Sequence, residues 1–392
     1  MTLMIALVLA PLTLLTLCFA VEVLAGLWPL AREETTPGGP KPTAIVIVPA
    51  HNEEAILGPK LAGLQSAALG RARILVVADN CTDSTAEIAR QSGIDVIERF
   101  DPERRGKGFA LDYARRHLEA EPPQIVIIID ADCATDSQSI DHLIGRCALT
   151  GSPCQATYVQ ASSRMDSPTV QLSTFAFFIK NVIRQRALQR LAGRALMLGS
   201  GMAIPWPIFA RSNLATGNIV EDLKLGQELA EAGHPPQFVE AAMTWGNAET
   251  EKNTLSQRSR WEGGFLQNAF TAGPALLSRS IAHGNLCGVW AAINLMIPPF
   301  ALLLLVDVAG LVVAATISWL TGAHVWPLLF LATTLFLAGV ALALAWFAGG
   351  SRFVSLSGLA KVPLYLLWKL PMYVGFARGG APKDWVRTSR GD

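Results

Sequence analysis

The chain has 392 residues and a formal net charge of +1, and 51% of its residues are hydrophobic whereas only 16% are charged. This near-neutral charge, without a repeated basic pattern, argues against a nucleic-acid partner. The apolar composition excludes an ordinary soluble enzyme and predicts that part of the chain lies in a membrane.

The N-terminal segment, residues 1–30, is predicted to be a transmembrane anchor. It is long enough to span about 30 Å of hydrocarbon, and Glu22 is its only charged side chain. Because no Lys or Arg precedes the apolar run, we expect a retained anchor rather than a cleaved signal peptide. Residues 31–42, rich in Thr, Pro and Gly, are predicted to be a linker.

From Thr43 onward, apolar segments alternate with amphipathic ones, which predicts an α/β domain with a mostly parallel sheet over residues 43–280. The expected strands are 44–48, 73–78, 95–99 and 124–130, and the expected helices are 53–65, 84–92 and 107–118. Polar residues follow each strand, and the carboxyl ends of parallel strands meet at one edge of a sheet. We therefore expect a nucleotide-binding site at that edge.

The apolar run at residues 125–129 ends at two carboxylates, Asp130 and Asp132. Side chains two residues apart in a strand point the same way, so the pair offers two hard oxygen ligands to a divalent cation. Asp132 and Asp136 also precede a predicted helix, and capping of that helix is the alternative. The domain has neither a GxGxxG nor a GxxxxGK phosphate loop, so we expect a metal and Lys107 to hold phosphates.

A second apolar block lies within residues 281–350 and is predicted to be a transmembrane helical hairpin. It runs from about residue 286 to residue 347, divides near residues 322–324, and carries one formal charge, Asp307. An ionisable group inside a span is a functional candidate, so Asp307 is predicted either to line an acceptor or product path or to have a helix-packing or snorkelling role.

The C-terminal segment, residues 351–392, is predicted to be an interfacial amphipathic helix at 353–376 followed by a basic cytoplasmic tail. The helix carries Lys361 and Lys369. Because Lys and Arg favour the cytoplasmic side, a fourth crossing would carry the basic tail to the outside. We therefore expect the helix to lie on the inner membrane surface, with a fourth span as the alternative.

The six cysteines form no CxxC pair and no metal-ligand spacing, which is typical of a reduced cytosolic domain.

Several short motifs occur in a fixed order along the predicted domain. They are Pro49, Asn52 and Glu53 after the first strand, Asp79 after the second, Gly106-Lys107, the pair Asp130 and Asp132, Glu221-Asp222, and Gln257-Arg258-Ser259-Arg260-Trp261. In this order they resemble the inverting glycosyltransferases of family 2, which have a GT-A fold. The Q-x-x-R-W motif resembles the membrane-embedded branch that contains cellulose, hyaluronan and poly-N-acetylglucosamine synthases. The resemblance covers about residues 43–270 and the flanking helices.

The resemblance implies a role for each matched residue. The donor-binding residues would be Pro49, Asn52, Glu53, Asp79, Lys107 and Asp130. Asp130 and Asp132 would hold Mg²⁺ or Mn²⁺, and Asp222 would be the catalytic base with Glu221 in support. The acceptor or diphosphate would bind at Gly199, Ser200, Gln257, Arg258, Arg260 and Trp261.

Two of these assignments have structural alternatives. Asp222 is also placed to be the N-cap of a helix over residues 223–232. A juxtamembrane cluster that contacts lipid headgroups is the alternative for Arg258, Arg260 and Trp261, with Lys252 as a further member. Two positions depart from the family pattern: Asn80 stands where many members have a second acidic residue, and residues 199–202, Gly-Ser-Gly-Met, replace the acceptor loop common in processive synthases.

The function implied is that of a metal-dependent inverting glycosyltransferase at the inner (plasma) membrane, with its catalytic domain in the cytoplasm. It would transfer a sugar from a nucleotide-sugar donor, expected to be a UDP-sugar, to a growing polysaccharide, with a homo-oligomer or an export partner to complete a pore. The alternatives are a single addition to a lipid acceptor, a noncatalytic membrane scaffold, and a metal-dependent nucleotidyltransferase, which would not require the Q-x-x-R-W motif.

Overall fold

The structure is a computed structural model that describes residues 1–31, 42–161, 167–248 and 251–379, with the backbone alone for 251–253 and 256. The predicted linker, residues 31–42, and the basic tail after residue 379 therefore lie almost wholly outside the described residues. The chain divides into two compact units. Among the described residues, the helical unit comprises 1–28, 167–192 and 258–379, and the sheet unit comprises 29–31, 42–161, 193–248 and 251–257.

The helices and strands follow in chain order. The helices are α1 (Thr2–Gly26), α2 (Glu54–Ala68), α3 (Thr85–Gln91), α4 (Lys107–Leu118), α5 (Ser137–Thr150), α6 (Pro168–Phe178), α7 (Arg184–Ala192), α8 (Trp206–Phe209), α9 (Glu221–Glu231), α10 (Glu251–Ala282), α11 (Leu286–Met296), α12 (Phe300–Thr321), α13 (Trp326–Phe347), α14 (Leu356–Leu359) and α15 (Val362–Ala377). The strands are β1 (Ala44–Ala50), β2 (Arg73–Asp79), β3 (Asp95–Arg99), β4 (Ile125–Ile128), β5 (Ala134–Thr135), β6 (Cys154–Ala161), β7 (Met202–Pro205) and β8 (Gln237–Asn247).

The strands of the sheet unit form one mixed sheet in the order β3-β2-β1-β4-β7-β6-β8-β5. β1 pairs with β2 and β4 in parallel, as do β2 with β3 and β6 with β8. β7 runs antiparallel to β4 and β6, and β5 runs antiparallel to β8. The predicted α/β domain with a mostly parallel sheet is confirmed.

β1 and β4, in the middle of the sheet, are buried because side chains pack on both of their faces. Ile45, Ile47, Val126 and Ile128 belong to one core cluster, which α4 completes with Leu111, Ala114 and Leu118, and α9 with Leu225 and Leu229. Burial on both faces explains why these strands read in the sequence as continuous apolar runs rather than as alternating patterns.

In the helical unit, three of the described helices, α1, α12 and α13, are long and apolar enough to cross a membrane. The predicted hairpin is wrong in its starting point, since α11 (Leu286–Met296) is a separate short helix and α12 begins at Phe300. Pro298 and Pro299 cause the break because proline cannot donate a helical hydrogen bond. α12 ends as predicted, at Gly322 in the left-handed conformation.

Buried polar pairs join the helices of this unit. Arg184 at the start of α7 donates to Glu22 at 2.6 Å and to the carbonyl oxygen of Asn294 at 3.0 Å. The amide nitrogen of Asn294 donates to the other oxygen of Glu22 at 2.7 Å. Both carboxylate oxygens of Glu22, the single charged residue of the N-terminal span, therefore accept hydrogen bonds, one from α7 and one from α11. Asp307 in α12 accepts from the Thr16 hydroxyl of α1 at 3.0 Å and is fully buried, which fits the helix-packing interpretation.

The C-terminal segment contains the short helix α14 and the longer α15. Of the two lysines that were expected on the surface of an amphipathic helix, Lys361 is exposed, but Lys369 is only 2% exposed and forms an ion pair with Glu262 of α10. The expectation is wrong for Lys369 because a carboxylate on a neighbouring helix compensates its charge. That this helix lies on a membrane surface stays a prediction.

Candidate active site

The two carboxylates that follow β4 come together as expected, but they lie in the turn after the strand and not in extended chain. One ligand atom from each of Asp130, Asp132 and Cys133 lies within 4.8 Å of the other two. Burial raises the pKa of the Cys133 thiol well above its usual value, and Mg²⁺ and Mn²⁺ prefer carboxylate oxygen to sulfur as a ligand. Capping of α5 is provided by Asp136, whose carboxylate accepts from the backbone N–H of Ser139 at 2.7 Å. Asp136 rather than Asp132 is therefore the N-cap of α5, and Asp130 and Asp132 offer a donor set that suits Mg²⁺ or Mn²⁺.

Lys107, the first residue of α4, connects this pair to a loop far away in the sequence. Its ammonium forms an ion pair with Asp130 and donates to the carbonyl oxygen of Gly199 at 2.5 Å. Burial opposes the charged form of Lys107, but the carboxylates of Asp130, Glu221 and Asp222 raise its pKa above the usual value. Burial also raises the pKa of Asp130, and the charge of Lys107 counteracts that effect.

The loop before β7 is fixed at the end of β4 by hydrogen bonds. The backbone N–H of Asp130 donates to the Ser200 hydroxyl at 3.1 Å, and the side-chain amide of Gln155 donates to the Ser200 carbonyl oxygen at 2.9 Å. The backbone N–H of Gly201 donates to the Ile128 carbonyl oxygen at 2.9 Å. Gly199 and Ser200 are thus held beside the two aspartates.

Gly199 marks the point where the charged groups converge. A Cβ atom at this position would lie 3.2 Å from Asp222 Oδ2, 3.5 Å from Lys107 Nζ and 3.7 Å from Asp130 Oδ2. Its φ of 89° lies in the left-handed region, which only glycine adopts at little cost. The absent side chain therefore leaves a space bordered by a candidate base, a cation and a candidate metal ligand.

Glu221 and Asp222 lie in the first turn of α9, whose N-cap is Val220. The predicted N-cap role of Asp222 is wrong, because α9 begins one residue before it, at Glu221. In the first turn, where both residues lie, a negative charge interacts favourably with the helix dipole. Asp222 accepts from the backbone N–H of Leu223 at 2.8 Å. Burial, together with the charge of Asp222, raises the pKa of Glu221 to about 8, so Glu221 is mostly protonated at pH 7.

The ends of β2 and β3 form a second polar group. Arg99 donates to Asp79 Oδ1 at 2.6 Å, lies over the ring of Phe109 at 5.5 Å, and contacts the Asp101 carboxylate at 3.1 Å. Burial raises the pKa of Asp79, and the hydrogen bond from Arg99 lowers it. Asn80 donates to the same oxygen of Asp79 at 3.1 Å. One side of the Asp79 carboxylate is therefore occupied by the protein.

The end of β1 is fixed against the loop that follows β2. Asn52 accepts from the backbone N–H of Thr82 at 2.8 Å, and the backbone N–H of Glu53 donates to the Thr85 hydroxyl at 2.7 Å. Asn52 adopts a φ of 55°, an uncommon conformation for a residue other than glycine and one that often marks functional sites. Pro49 lies within β1.

The Q-x-x-R-W motif lies in α10. Gln257 belongs to the sheet unit, whose stretch from Gly193 ends there, whereas Arg258, Arg260 and Trp261 belong to the helical unit. Arg258 is buried and donates to the Ser173 hydroxyl at 2.7 Å. Its guanidinium lies 5.2 Å from the Trp261 ring centroid. An arginine buried in this way does not face lipid headgroups. The side chain of Lys252 lies outside the described residues.

Sequence reasoning missed several groups that the structure brings into these clusters. Arg99 was overlooked, although its place at the end of a predicted strand was a usable signal. Gln155, Glu262 and Lys369 carried no such signal, because their partners are far away in the sequence. His51, which follows β1, is a structural hydrogen-bond partner, since its ring nitrogen lies 2.7 Å from the carbonyl oxygen of Asp79.

A family model described as glycosyltransferase-like family 2 matches residues 40–264, more than half of the chain. The chain belongs to this family. The low-salt glycan biosynthesis hexosyltransferase Agl6 of Haloferax volcanii is 35% identical over 106 residues, 26% of this chain and 24% of that protein. The probable glycosyltransferase YdaM of Bacillus subtilis is 26% identical over 241 residues, 57% of this chain and 55% of that protein. The chain thus spans less than two thirds of either relative.

Among solved structures, the mannosyltransferase PcManGT from Pyrobaculum calidifontis, in complex with GDP-Man and Mn²⁺, is similar in fold. It is 18% identical with a TM-score of 0.57, and the match covers 94% of this chain and 99% of that one. At this identity the likeness shows the fold alone, which is the expected α/β GT-A-like fold.

Proposed function

We propose that the protein is a membrane-bound, metal-dependent, inverting glycosyltransferase that uses a nucleotide-sugar donor to extend a polysaccharide. The observation that carries the proposal is the convergence of Asp222 Oδ2, Lys107 Nζ and Asp130 Oδ2 around Gly199. A carboxylate base, a cation and a metal ligand within one small space are the groups that displacement of a diphosphate requires.

The roles follow from the chemistry of each group. An acceptor hydroxyl forms a bond to the anomeric carbon while the bond from that carbon to the diphosphate oxygen breaks, and the electron pair leaves with the diphosphate. Asp222 takes the proton of the attacking hydroxyl, a role worth typically about 10² to 10⁴ in rate. Lys107 contributes a fixed positive charge beside the leaving group. A bound Mg²⁺ or Mn²⁺, held by Asp130 and Asp132, would neutralise the diphosphate as a Lewis acid.

The remaining matched residues complete the proposed site. Pro49, Asn52, Glu53 and Asp79 lie at or near the ends of β1 and β2, where α/β folds bind nucleotides. We assign them to the donor. UDP-sugars are the expected donors, and GDP-sugars belong in any test panel because the similar mannosyltransferase was solved with GDP-Man. Glu221, protonated at neutral pH, supports Asp222 without adding a second negative charge.

The acceptor has two candidate classes. A polysaccharide acceptor is favoured by the resemblance of the Q-x-x-R-W motif to membrane-embedded synthases. A lipid acceptor is favoured by the small number of candidate spans, because three helices among the described residues, α1, α12 and α13, make a narrow channel without an oligomer or an export partner. The excess of Lys and Arg in the segments that flank the spans supports a cytoplasmic catalytic domain at the inner membrane.

Nucleotide release from a panel of UDP- and GDP-sugars tests this function with the full chain in lipid nanodiscs. Each donor is assayed with Mg²⁺, Mn²⁺ or EDTA in the presence of membrane-extract acceptors. We expect turnover of one donor that EDTA abolishes, and loss of that turnover in Asp222→Asn. Asp95→Asn, which changes an exposed carboxylate on β3, is the matched control and should retain it.

The products of that assay separate the acceptor classes. A product that remains at high mass on a gel indicates polymer, and a product that extracts into organic solvent indicates a glycolipid. Absence of turnover with every donor, in the presence of metal and acceptor extract, would contradict the enzyme and support the scaffold alternative.

A further inference from the structure

The side chain of Glu262 is held from α15 by two different groups. Lys369 forms an ion pair with Glu262 Oε1, and the Tyr373 hydroxyl donates to Glu262 Oε2 at 2.7 Å. Lys369 is 2% exposed and Tyr373 is 7% exposed. Both carboxylate oxygens are therefore bound in a buried environment, where a charged group requires a partner.

Aromatic rings enclose the lysine. Its ammonium lies 5.2 Å from the Tyr365 ring centroid and 5.8 Å from that of Tyr373. Positive charge is favourable over an aromatic face. Lys369 thus has a defined place between two rings and one carboxylate, unlike a surface lysine that reaches into solvent or toward lipid headgroups.

The residue that α15 holds is part of the helical turn that carries the Q-x-x-R-W motif. Glu262 directly follows Trp261, and it lies four residues after Arg258, on the same face of α10. Arg258 in turn lies 5.1 Å from the Phe177 ring centroid and 5.2 Å from that of Trp261. Binding both oxygens of one side chain restricts rotation of this turn about its axis, and so fixes the directions of its neighbours.

We propose that Lys369 and Tyr373 are positioning residues for sugar transfer, which hold Glu262 and thereby set the orientation of Arg258 and Trp261. The inference rests on the proposed function and on the role that the family resemblance implies for the Q-x-x-R-W motif, namely contact with the acceptor or the diphosphate. In this account α15 is a structural support for the motif as well as a membrane-proximal helix.

Steady-state kinetics of transfer in nanodiscs test the proposal with Lys369→Met and Tyr373→Phe. We expect Lys369→Met to lower kcat about 10²-fold, as expected when reacting groups are misplaced by about 1 Å. Tyr373→Phe removes one hydrogen bond to a charged group and should lower kcat about tenfold. The apparent KM for the donor should stay within about threefold of wild type, because loss of an interaction made mainly in the transition state lowers kcat and leaves KM unchanged.

Two comparisons separate the contact with Glu262 from the loss of a positive charge and from unrelated effects of each substitution. Lys361→Met removes an exposed positive charge from the same segment and should keep the wild-type kcat. Glu262→Gln should lower kcat as much as Lys369→Met does. A variant that combines Glu262→Gln with Lys369→Met should have a kcat no lower than that of either single variant, since both changes remove the same contact.

Each contrary outcome has a distinct meaning. Wild-type turnover that survives unchanged in both Lys369→Met and Tyr373→Phe would overturn the inference and leave the proposed function intact. Additive losses in the double variant, or a kcat loss in Lys361→Met as large as in Lys369→Met, would also overturn it. Absence of turnover in the wild type would overturn the proposed function, and the inference with it.

Discussion

Substitution of Gly199 by alanine tests whether the space beside this residue is where transfer occurs. The φ of 89° is unfavourable for alanine, at a cost of about 1–2 kcal/mol in unfolding free energy. The new Cβ atom would lie 3.2 Å from Asp222 Oδ2, so the carboxylate must move by a few tenths of an ångström. Because small displacements of reacting groups reduce rates by up to about 10²-fold, we expect a 10- to 100-fold lower rate of nucleotide release.

Gly151→Ala is the matched control for this substitution. Gly151 ends α5 with a φ of 62°, and a Cβ atom there would meet no other atom within 4 Å. It should therefore lose a similar amount of unfolding free energy, measured by thermal unfolding in nanodiscs, and keep the wild-type rate. Equal rates for Gly199→Ala and Gly151→Ala would refute the placement of the reaction beside Gly199.

Three further predictions concern charge. Glu221 has a pKa that rises from 4.5 to about 8 in the fold, so between these values the folded state binds a proton that the unfolded state lacks. As the pH rises across that window, this difference in proton binding at Glu221 should lower the unfolding free energy of the metal-free protein by about 1.4 kcal/mol per pH unit. Chemical denaturation at several pH values measures this slope, and Glu221→Gln should lack it. Lys107→Met removes the charge that counteracts the raised pKa of Asp130, so the midpoint of Mn²⁺ binding in a calorimetric pH series should move to higher pH; an unchanged midpoint would contradict the pairing. Arg184→Met leaves Glu22 buried without its cation and should cost about 3–5 kcal/mol in detergent unfolding, with most of that loss absent when Glu22→Gln is combined with it.

The first four strands, β1 to β4, and the place of the two aspartates could be predicted because their signals are local. A strand buried on both faces reads as a continuous apolar run, and β4 ends at Ile128, two residues before Asp130. The break between α11 and α12 was also available from Pro298 and Pro299, and it was missed because hydropathy alone does not register it. Local patterns therefore predict which elements exist and where polar groups follow them.

The rest depends on which distant residues meet, and no local pattern carries that information. Lys107 reaches Gly199, 92 positions later, and Lys369 reaches Glu262, 107 positions earlier. Lys369 was expected at the membrane surface because the preference of Lys and Arg for the cytoplasmic side argued against a fourth span. Its burial follows from one carboxylate on another helix, a fact of tertiary packing.

Separate measurement of donor binding and of transfer tests the central claim most directly. Binding of the nucleoside diphosphate is measured by calorimetry with Mn²⁺ or EDTA, and transfer by nucleotide release, for wild type, Asp132→Asn and Asp222→Asn. The account predicts that Asp132→Asn loses metal-dependent binding, whereas Asp222→Asn binds like wild type but is slower in transfer by about 10² to 10⁴. Metal-independent binding in the wild type, or full transfer by Asp222→Asn, would contradict it.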